Sequence, residues 1–315
     1  MPFFSVIVPL YNKENFIEAT LQSILDQSFF DFEILIIDDS STDSSLKIAN
    51  TLASAKVKII QHKKNQGLSA ARNSGIKMAS GQYIAFLDAD DCWDVNYLET
   101  IVGLIDKYPE AKLFATNYLE IYSKTVSLTP RTKLQFPGSN FLVHDFFKSS
   151  LNQPIYCPSS LCVSKAVFNS IGCYEEKITF GEDVDFNIRV NTTFQLAYST
   201  SSLVKYTVNS ENQITTSTLK NKVLPNLDSY EILAKTNFSL KKYLDFHRYI
   251  FAKMYKIEND LVNYQVLKTR IHEDPKISGL NYKQRLLLNT PSFFLRVIQK
   301  TKRYFVNKGY RFTSY

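Results

Sequence analysis

Apolar residues fall along this chain in two rhythms. Unbroken runs at residues 3–8, 32–37 and 83–87 lack polar alternation, the pattern of strands covered on both faces. Between them the spacing lengthens to about one helical turn. Ile17, Leu21, Ile24 and Leu25 share one helix face, with Asn12 placed to cap that helix. A helix running to about residue 53, a strand at 57–61, and a helix at 68–79 entered through Asn65-Gln66-Gly67 follow. Strands and helices alternating over short connections predict an α/β domain with a mostly parallel central sheet.

The three most apolar runs all end in polar residues: Pro9-Leu10-Tyr11-Asn12, Asp38-Asp39, and Asp88-Ala89-Asp90-Asp91. In a parallel sheet such ends lie along one edge, so residues distant in sequence converge. Grouping Asp88, Asp90 and Asp91 costs charge repulsion unless something positive stands between them. A divalent cation shared with a diphosphate is the simplest compensation, because hard cations take carboxylate and phosphate oxygens together. A solvated turn, with Asp91 as a helix N-cap ahead of Trp93-Asp94, accounts for that stretch equally well by itself. Three convergent ends favour a site.

Beyond this point a helix is expected to about residue 107 and a strand at 113–117. Residues 118–155 show no readable period, broken by Pro130, Pro137 and Gly138. A strand at 159–163, a helix at 165–171 stopped by Gly172, and a loop-to-helix transition over 181–190 follow. After residue 217 the pattern is helical, at 224–233, 241–267 and 282–304. This divides the chain into an α/β domain, 1–215, and a helical region, 216–315.

Composition sharpens the picture at the C-terminus. The chain has 315 residues with 44% hydrophobic content and a net charge of +7, ordinary for a globular protein. Residues 1–215 carry net −5, whereas 216–315 hold 19 Lys and Arg against 7 Asp and Glu, net +12. A basic tail beside an acidic body suits an anionic partner. In residues 282–305 the basic positions mix with apolar ones, as in helices that lie on anionic membranes. A helix packed on the catalytic domain with a solvated basic face fits the same pattern. No nucleic-acid motif accompanies the charge, so nucleic acid is not the expected partner. No apolar run approaches the roughly 20 residues of a membrane span. The N-terminus lacks a signal-type segment, so the expected location is the cytoplasm or the inner face of its membrane. Cys92, Cys157, Cys162 and Cys173 form no metal-binding pattern and are expected as free thiols.

Longer motifs refine the α/β reading. Ser5-Val6-Ile7-Val8-Pro9-Leu10-Tyr11-Asn12, Glu33-Ile34-Leu35-Ile36-Ile37-Asp38-Asp39-Ser40-Ser41-Thr42-Asp43, Asn65-Gln66-Gly67-Leu68-Ser69-Ala70-Ala71-Arg72-Asn73-Ser74-Gly75, Leu87-Asp88-Ala89-Asp90-Asp91 and Gly181-Glu182-Asp183 occur in this order. Together they resemble family 2 glycosyltransferases of GT-A fold, over roughly residues 3–215. The resemblance implies an inverting transferase that uses a UDP-sugar donor and Mn²⁺ or Mg²⁺. Pro9, Tyr11 and Asp39 would surround uracil and ribose, with Arg72 near the diphosphate. Gly67, Asp88 and Ala89 would complete the donor site, and Asp90 would bind the metal. Asp183 would be the general base, and Glu182 would orient the acceptor. Asp185 is expected to do no more than favour the start of its helix.

Departures from the family pattern matter as well. Many relatives carry a histidine after the catalytic loop that completes the metal site, where this chain has Tyr206-Thr207-Val208-Asn209. Asn209 could supply a carbonyl oxygen instead, or water could. His62, His144, His247 and His272 fall outside the matched motifs and are expected to be structural or on the surface. The Gln-x-x-Arg-Trp motif of processive members is absent, which predicts transfer of single sugars. The acceptor implied is a glycan or lipid-linked glycan, and the helical tail offers a surface for an oligomer. A non-catalytic nucleotide-sugar-binding partner of another transferase is the competing reading. Its signature would be loss of the acidic motifs, and Asn209 alone leans that way.

Overall fold

The computed structural model describes residues 1–52, 54–208, 210–214 and 217–311. In chain order the first half comprises β1 (Phe4–Leu10), α1 (Ile17–Leu25), β2 (Phe32–Asp38), α2 (Ser45–Thr51), β3 (Val57–Gln61), α3 (Leu68–Met78), β4 (Tyr83–Phe86), β5 (Cys92–Trp93) and α4 (Tyr97–Lys107). Next come β6 (Leu113–Ser123), β7 (Val126–Leu128), β8 (Asn140–Val143), α5 (Phe146–Ser149), β9 (Leu161–Ser164), α6 (Ala166–Ile171), α7 (Glu182–Thr193) and β10 (Leu196–Thr207). The last stretch is helical: α8 (Glu231–Ala234), α9 (Phe238–Ile257), α10 (Leu261–Arg270), α11 (Pro275–Ser278), α12 (Tyr282–Asn289) and α13 (Ser292–Asn307).

The chain forms two compact units. The first takes in residues 1–121, 136–144 and 156–216, and the second 122–135, 145–155 and 217–315.

In the first unit the sheet runs β3-β2-β1-β4-β9-β6-β10-β5, with β8 alongside β10. β3, β2, β1 and β4 are mutually parallel, as their apolar runs predict, while β9 is antiparallel to both β4 and β6. Every residue of β1 and β2 is buried, because helices cover both faces of a parallel sheet. The register sets Leu10 beside Asp38 and Ile7 beside Phe86, so the polar ends of these strands share one edge. At the opposite edge Gly81 passes so close to β1 that a Cβ there would lie 2.6 Å from the Ser5 backbone nitrogen. Glu33 is buried beside it, accepting from the Ser5 hydroxyl at 2.8 Å, the Ser80 amide at 2.7 Å and Lys58 Nζ at 2.9 Å. Burial by itself would raise the Glu33 pKa, but these donors hold it down at about 2.

Several local expectations shift. α1 begins at Ile17 with Phe16 at the N-cap position. Asn12 instead takes a positive φ of 50° and accepts from the Thr42 amide at 2.8 Å, tying the ends of β1 and β2 together. β6 outruns its sequence signal because its partner β10 continues alongside it. β10 carries no clear strand signal in the sequence, since the serines and threonine of 199–202 blur its period. Cys157 and Cys162 are buried and Cys92 and Cys173 partly so, all as free thiols.

The second unit is built on α9, against which α5, α8, α10, α11, α12 and α13 pack. A buried Arg248 organises one side of it, donating to Glu231 at 2.6 Å, Asp245 at 2.8 Å and Asp228 at 2.6 Å. The expected helix over 241–267 is two helices, because Asn259 at φ 64° breaks the chain and Asp260 caps α10. Likewise Pro291 divides α12 from α13. α13 buries Leu295 alone, leaving Phe293, Phe294, Val297 and Tyr304 exposed. No helix among the described residues is long and apolar enough to cross a membrane.

Candidate active site

The edge where the parallel strands end carries the sequence motifs. β1 delivers Pro9 near its end and then Tyr11, which is 40% exposed. β2 delivers Asp38 and Asp39, both buried. Asp39 accepts from the amides of Gln66 and Gly67, each at 2.8 Å, which holds the turn into α3 against the end of β2. Gly67 has φ 91°, a conformation that costs glycine nothing and other residues strain. His62, just past the end of β3, places Nδ1 2.7 Å from Asp39 and Nε2 2.9 Å from the Ser74 hydroxyl. The structure thus brings His62 to the edge where the strand ends converge. Its position one residue after a parallel strand was the available signal.

β4 leads into Asp88-Ala89-Asp90-Asp91, whose members differ in environment. Asp91 is fully buried, accepting from the Ser159 hydroxyl at 2.5 Å and the Thr207 amide at 2.8 Å. Burial, with Asp90 and Asp88 adding repulsion, pushes its pKa well above the usual carboxylate range. Asp91 therefore ties β4 to the end of β10 rather than capping a helix. Ala89 is buried, and its carbonyl accepts from the Thr20 hydroxyl at 3.0 Å.

Asp88 is gripped by Arg72, whose Nη2 lies 2.9 and 3.2 Å from its two oxygens. Nη1 of the same guanidinium is 3.1 Å from Glu182 Oε1. Arg72 is only 1% exposed and lies 5.2 Å from the Tyr174 ring centre. Burial would lower its pKa, but Asp88 and Glu182 more than reverse that, so it stays charged. Arg72 is thus an internal bridge between the end of β4 and the start of α7.

α7 opens with three acids after Gly181 in the left-handed conformation. Their fates differ. Glu182 belongs to Arg72, and Asp185 to Arg189 at 2.8 Å. Among the described residues Asp183 has no cation within ion-pair distance, and its Oδ1 accepts from the Val184 amide at 2.9 Å. Burial first and Glu182 second push its pKa up to about 6, against the opposing pull of Arg72. A carboxylate poised there accepts protons near neutral pH.

Asp90 has a partner that the sequence reading did not name. Lys13 Nζ lies 2.7 Å from Asp90 Oδ2, 3.0 Å from Ser210 Oγ and 2.5 Å from the Glu211 carbonyl. Ser210 also donates to Asp90 Oδ2. Lys13 follows directly on the polar end of β1, so a cation among converging acids could have been anticipated. Asn209 lies outside the described residues. Among those described, no group of three or more His, Cys, Asp or Glu side chains could hold a metal ion. The carboxylate, hydroxyl and carbonyl around Lys13 Nζ are nonetheless all oxygen donors, the kind Mg²⁺ or Mn²⁺ takes when substrate phosphates and water complete its shell.

Comparison with known proteins matches these features to a family. Residues 5–171 match the family model described as glycosyl transferase family 2. Glycosyltransferase GlyA of Streptococcus pneumoniae is 39% identical over 115 residues, which cover 36% of this chain and 16% of that protein. The Escherichia coli UDP-Glc:alpha-D-GlcNAc-diphosphoundecaprenol beta-1,3-glucosyltransferase WfgD is 37% identical over 103 residues, 33% of this chain and 41% of its own. The matched segments thus span well under half of these relatives. Among solved structures, S. aureus TarS 1-349 in complex with UDP-GlcNAc superposes with a TM-score of 0.67 at 20% identity, covering 97% of this chain and 90% of that one. That likeness shows a shared fold of GT-A type.

Proposed function

We propose that this chain, which belongs to glycosyl transferase family 2, moves one sugar at a time from a UDP-sugar to a hydroxyl of a glycan or lipid-linked glycan, inverting the anomeric carbon. The observation that carries this reading is the division of the acids around Arg72. Asp88 and Glu182 share one guanidinium, while among the described residues Asp183 beside them has no cation and a raised pKa. That combination supplies one unpaired base next to carboxylates already held by a cation.

In the proposed reaction Tyr11 and Asp39 bound the base and ribose pocket, with Pro9 and Gly67 shaping the backbone around them and Ala89 lining the donor edge. The acceptor oxygen forms the new bond to the anomeric carbon as the bond from that carbon to the diphosphate oxygen breaks. The electron pair of that bond leaves with UDP. Asp183 takes the acceptor proton, and Glu182, held by Arg72, keeps the start of α7 aligned for it. A divalent cation at Asp90 would neutralise charge on the departing diphosphate. The UDP donor and lipid-linked acceptor are supported by the relatives WfgD and WfaP, which the matched segments resemble at 37% and 38% identity.

Membrane contact belongs to the same reading. The apolar face of α13, with Phe293, Phe294 and Val297 exposed beside Arg296, Lys300 and Arg303, suits an anionic bilayer that would carry such an acceptor.

The test is UDP release from a panel of UDP-sugars with and without Mn²⁺, for the wild type, Asp90→Ala and Asp183→Ala. Turnover of one donor that requires Asp90, and transfer that requires Asp183 while UDP still binds, is the expected result. Failure of every UDP-sugar to bind would overturn the donor assignment.

A further inference from the structure

Lys13 stands where no donor-site reading of the motifs put a residue. Its side chain and that of Asp90 are 11% and 9% exposed, so this is a largely desolvated ion pair. The ammonium is held by three oxygens from two segments: Asp90 after β4, and Ser210 and the Glu211 carbonyl after β10. A primary ammonium donates three hydrogen bonds, and all three are met here.

The same contacts fasten residues 210–212 to the end of β1. Asn15 Nδ2 donates to Glu211 Oε2 at 3.1 Å, and Asn212 Nδ2 reaches the Asn12 carbonyl at 3.4 Å. Residues 12–15 thus grip 210–212, with Lys13 at the centre of the grip. Lys13 and Ser210 both bear on Asp90 Oδ2, so a second cation at this carboxylate meets a positive charge already in place. Asp88 offers no substitute, because Arg72 covers both of its oxygens.

We propose that Lys13 is the resident counter-ion of Asp90 and a latch on residues 210–212, so that a divalent cation at Asp90 and the Lys13 contact exclude each other. This rests on the donor-site reading above and adds to it the state of the site before donor arrives. Without its counter-ion Asp90 would be a nearly buried, uncompensated carboxylate. With Lys13 in place Asp90 is compensated, and opening the pair releases 210–212 together with the ammonium. Lys13 acts through Asp90 and the 210–212 segment, and is a positioning residue.

The experiment measures Mn²⁺ binding by electron paramagnetic resonance, with and without UDP, on the full chain for the wild type, Lys13→Met, Lys13→Arg and Asp90→Asn. Amide exchange over 210–212 is followed in parallel. Lys13→Met should bind Mn²⁺ at least tenfold more tightly than the wild type without UDP, and Asp90→Asn should lose binding. Amides of 210–212 should exchange faster in Lys13→Met, and faster in the wild type once Mn²⁺ is added. Lys13→Arg, which keeps a cation, should stay within about threefold of the wild type. Mn²⁺ affinity unchanged or weakened in Lys13→Met, with Asp90→Asn still abolishing it, would overturn the exchange and leave the metal reading intact. No Mn²⁺ binding by any form, including Lys13→Met with UDP, would overturn both, while UDP binding in that case would leave the donor reading standing.

Discussion

The Arg72 guanidinium lies 3.1 Å from Glu182, 110 residues further along the chain, while its other terminal nitrogen holds Asp88. One buried cation therefore joins the end of β4 to the helix that carries the proposed base. The planar fork of arginine is what permits this, since it serves two carboxylates in different directions.

Replacing Arg72 tests that bridge. Arg72→Met should leave Asp88 and Glu182 facing each other without a cation, destabilising the fold by about 3 kcal/mol or more. Arg72→Lys should fold better yet keep only one of the two contacts, and lose transferase activity by about a hundredfold. Denaturation midpoints together with kcat on the two variants separate stability from function.

Asp183 makes a pH prediction. Activity limited by its deprotonated form should rise with pH through about 6 and then level off, and that limb should vanish in Asp183→Asn. The stability effect has the opposite sense. Its pKa is higher folded than unfolded, so ionising it costs the native state stability as pH rises from about 4 to about 6. Asp183→Asn should therefore melt a few degrees higher than the wild type at pH 7.5, and no higher at pH 4.

Glu33 runs the other way. Its pKa is depressed from 4.5 to about 2 in the fold, so its contribution is complete above the unfolded value and lost as pH falls through the folded one. Glu33→Gln should be less stable by about 2–3 kcal/mol at pH 7, with the difference closing toward pH 2. Urea midpoints across that range measure it.

Asp39 and His62 can be separated by nucleotide binding. Asp39→Ala removes the acceptor for the Gln66 and Gly67 amides as well as the polar wall of the proposed base pocket. It should weaken UDP binding by about a hundredfold. His62→Ala leaves those amide bonds in place and should cost about tenfold or less. Isothermal titration with UDP distinguishes the two.

Much of this protein was legible from residue order. The apolar runs of β1, β2 and β4 specify buried parallel strands, and parallel strands bring their ends to one edge whatever lies between. Asp39, Asp88 and Asp90 could be placed there for that reason, and Asp183 could be singled out within a motif. The resemblance to a family rests on those strand ends together with residues 65–75 and 181–183, and residues 5–171 match the family. Assignments that depend on who meets whom could not be read. Asp88, Asp90 and Asp91 are near neighbours in sequence, yet one faces Arg72, one Lys13, and one Ser159 and the Thr207 amide. Likewise Glu182, Asp183 and Asp185 look alike in a helix start, and only packing gives two of them a guanidinium and leaves one to titrate. Local pattern determines which way a side chain points from its own strand or helix, because that depends on period alone. Burial and charge partners depend on segments that arrive from a hundred residues away, and these set the chemistry of each carboxylate.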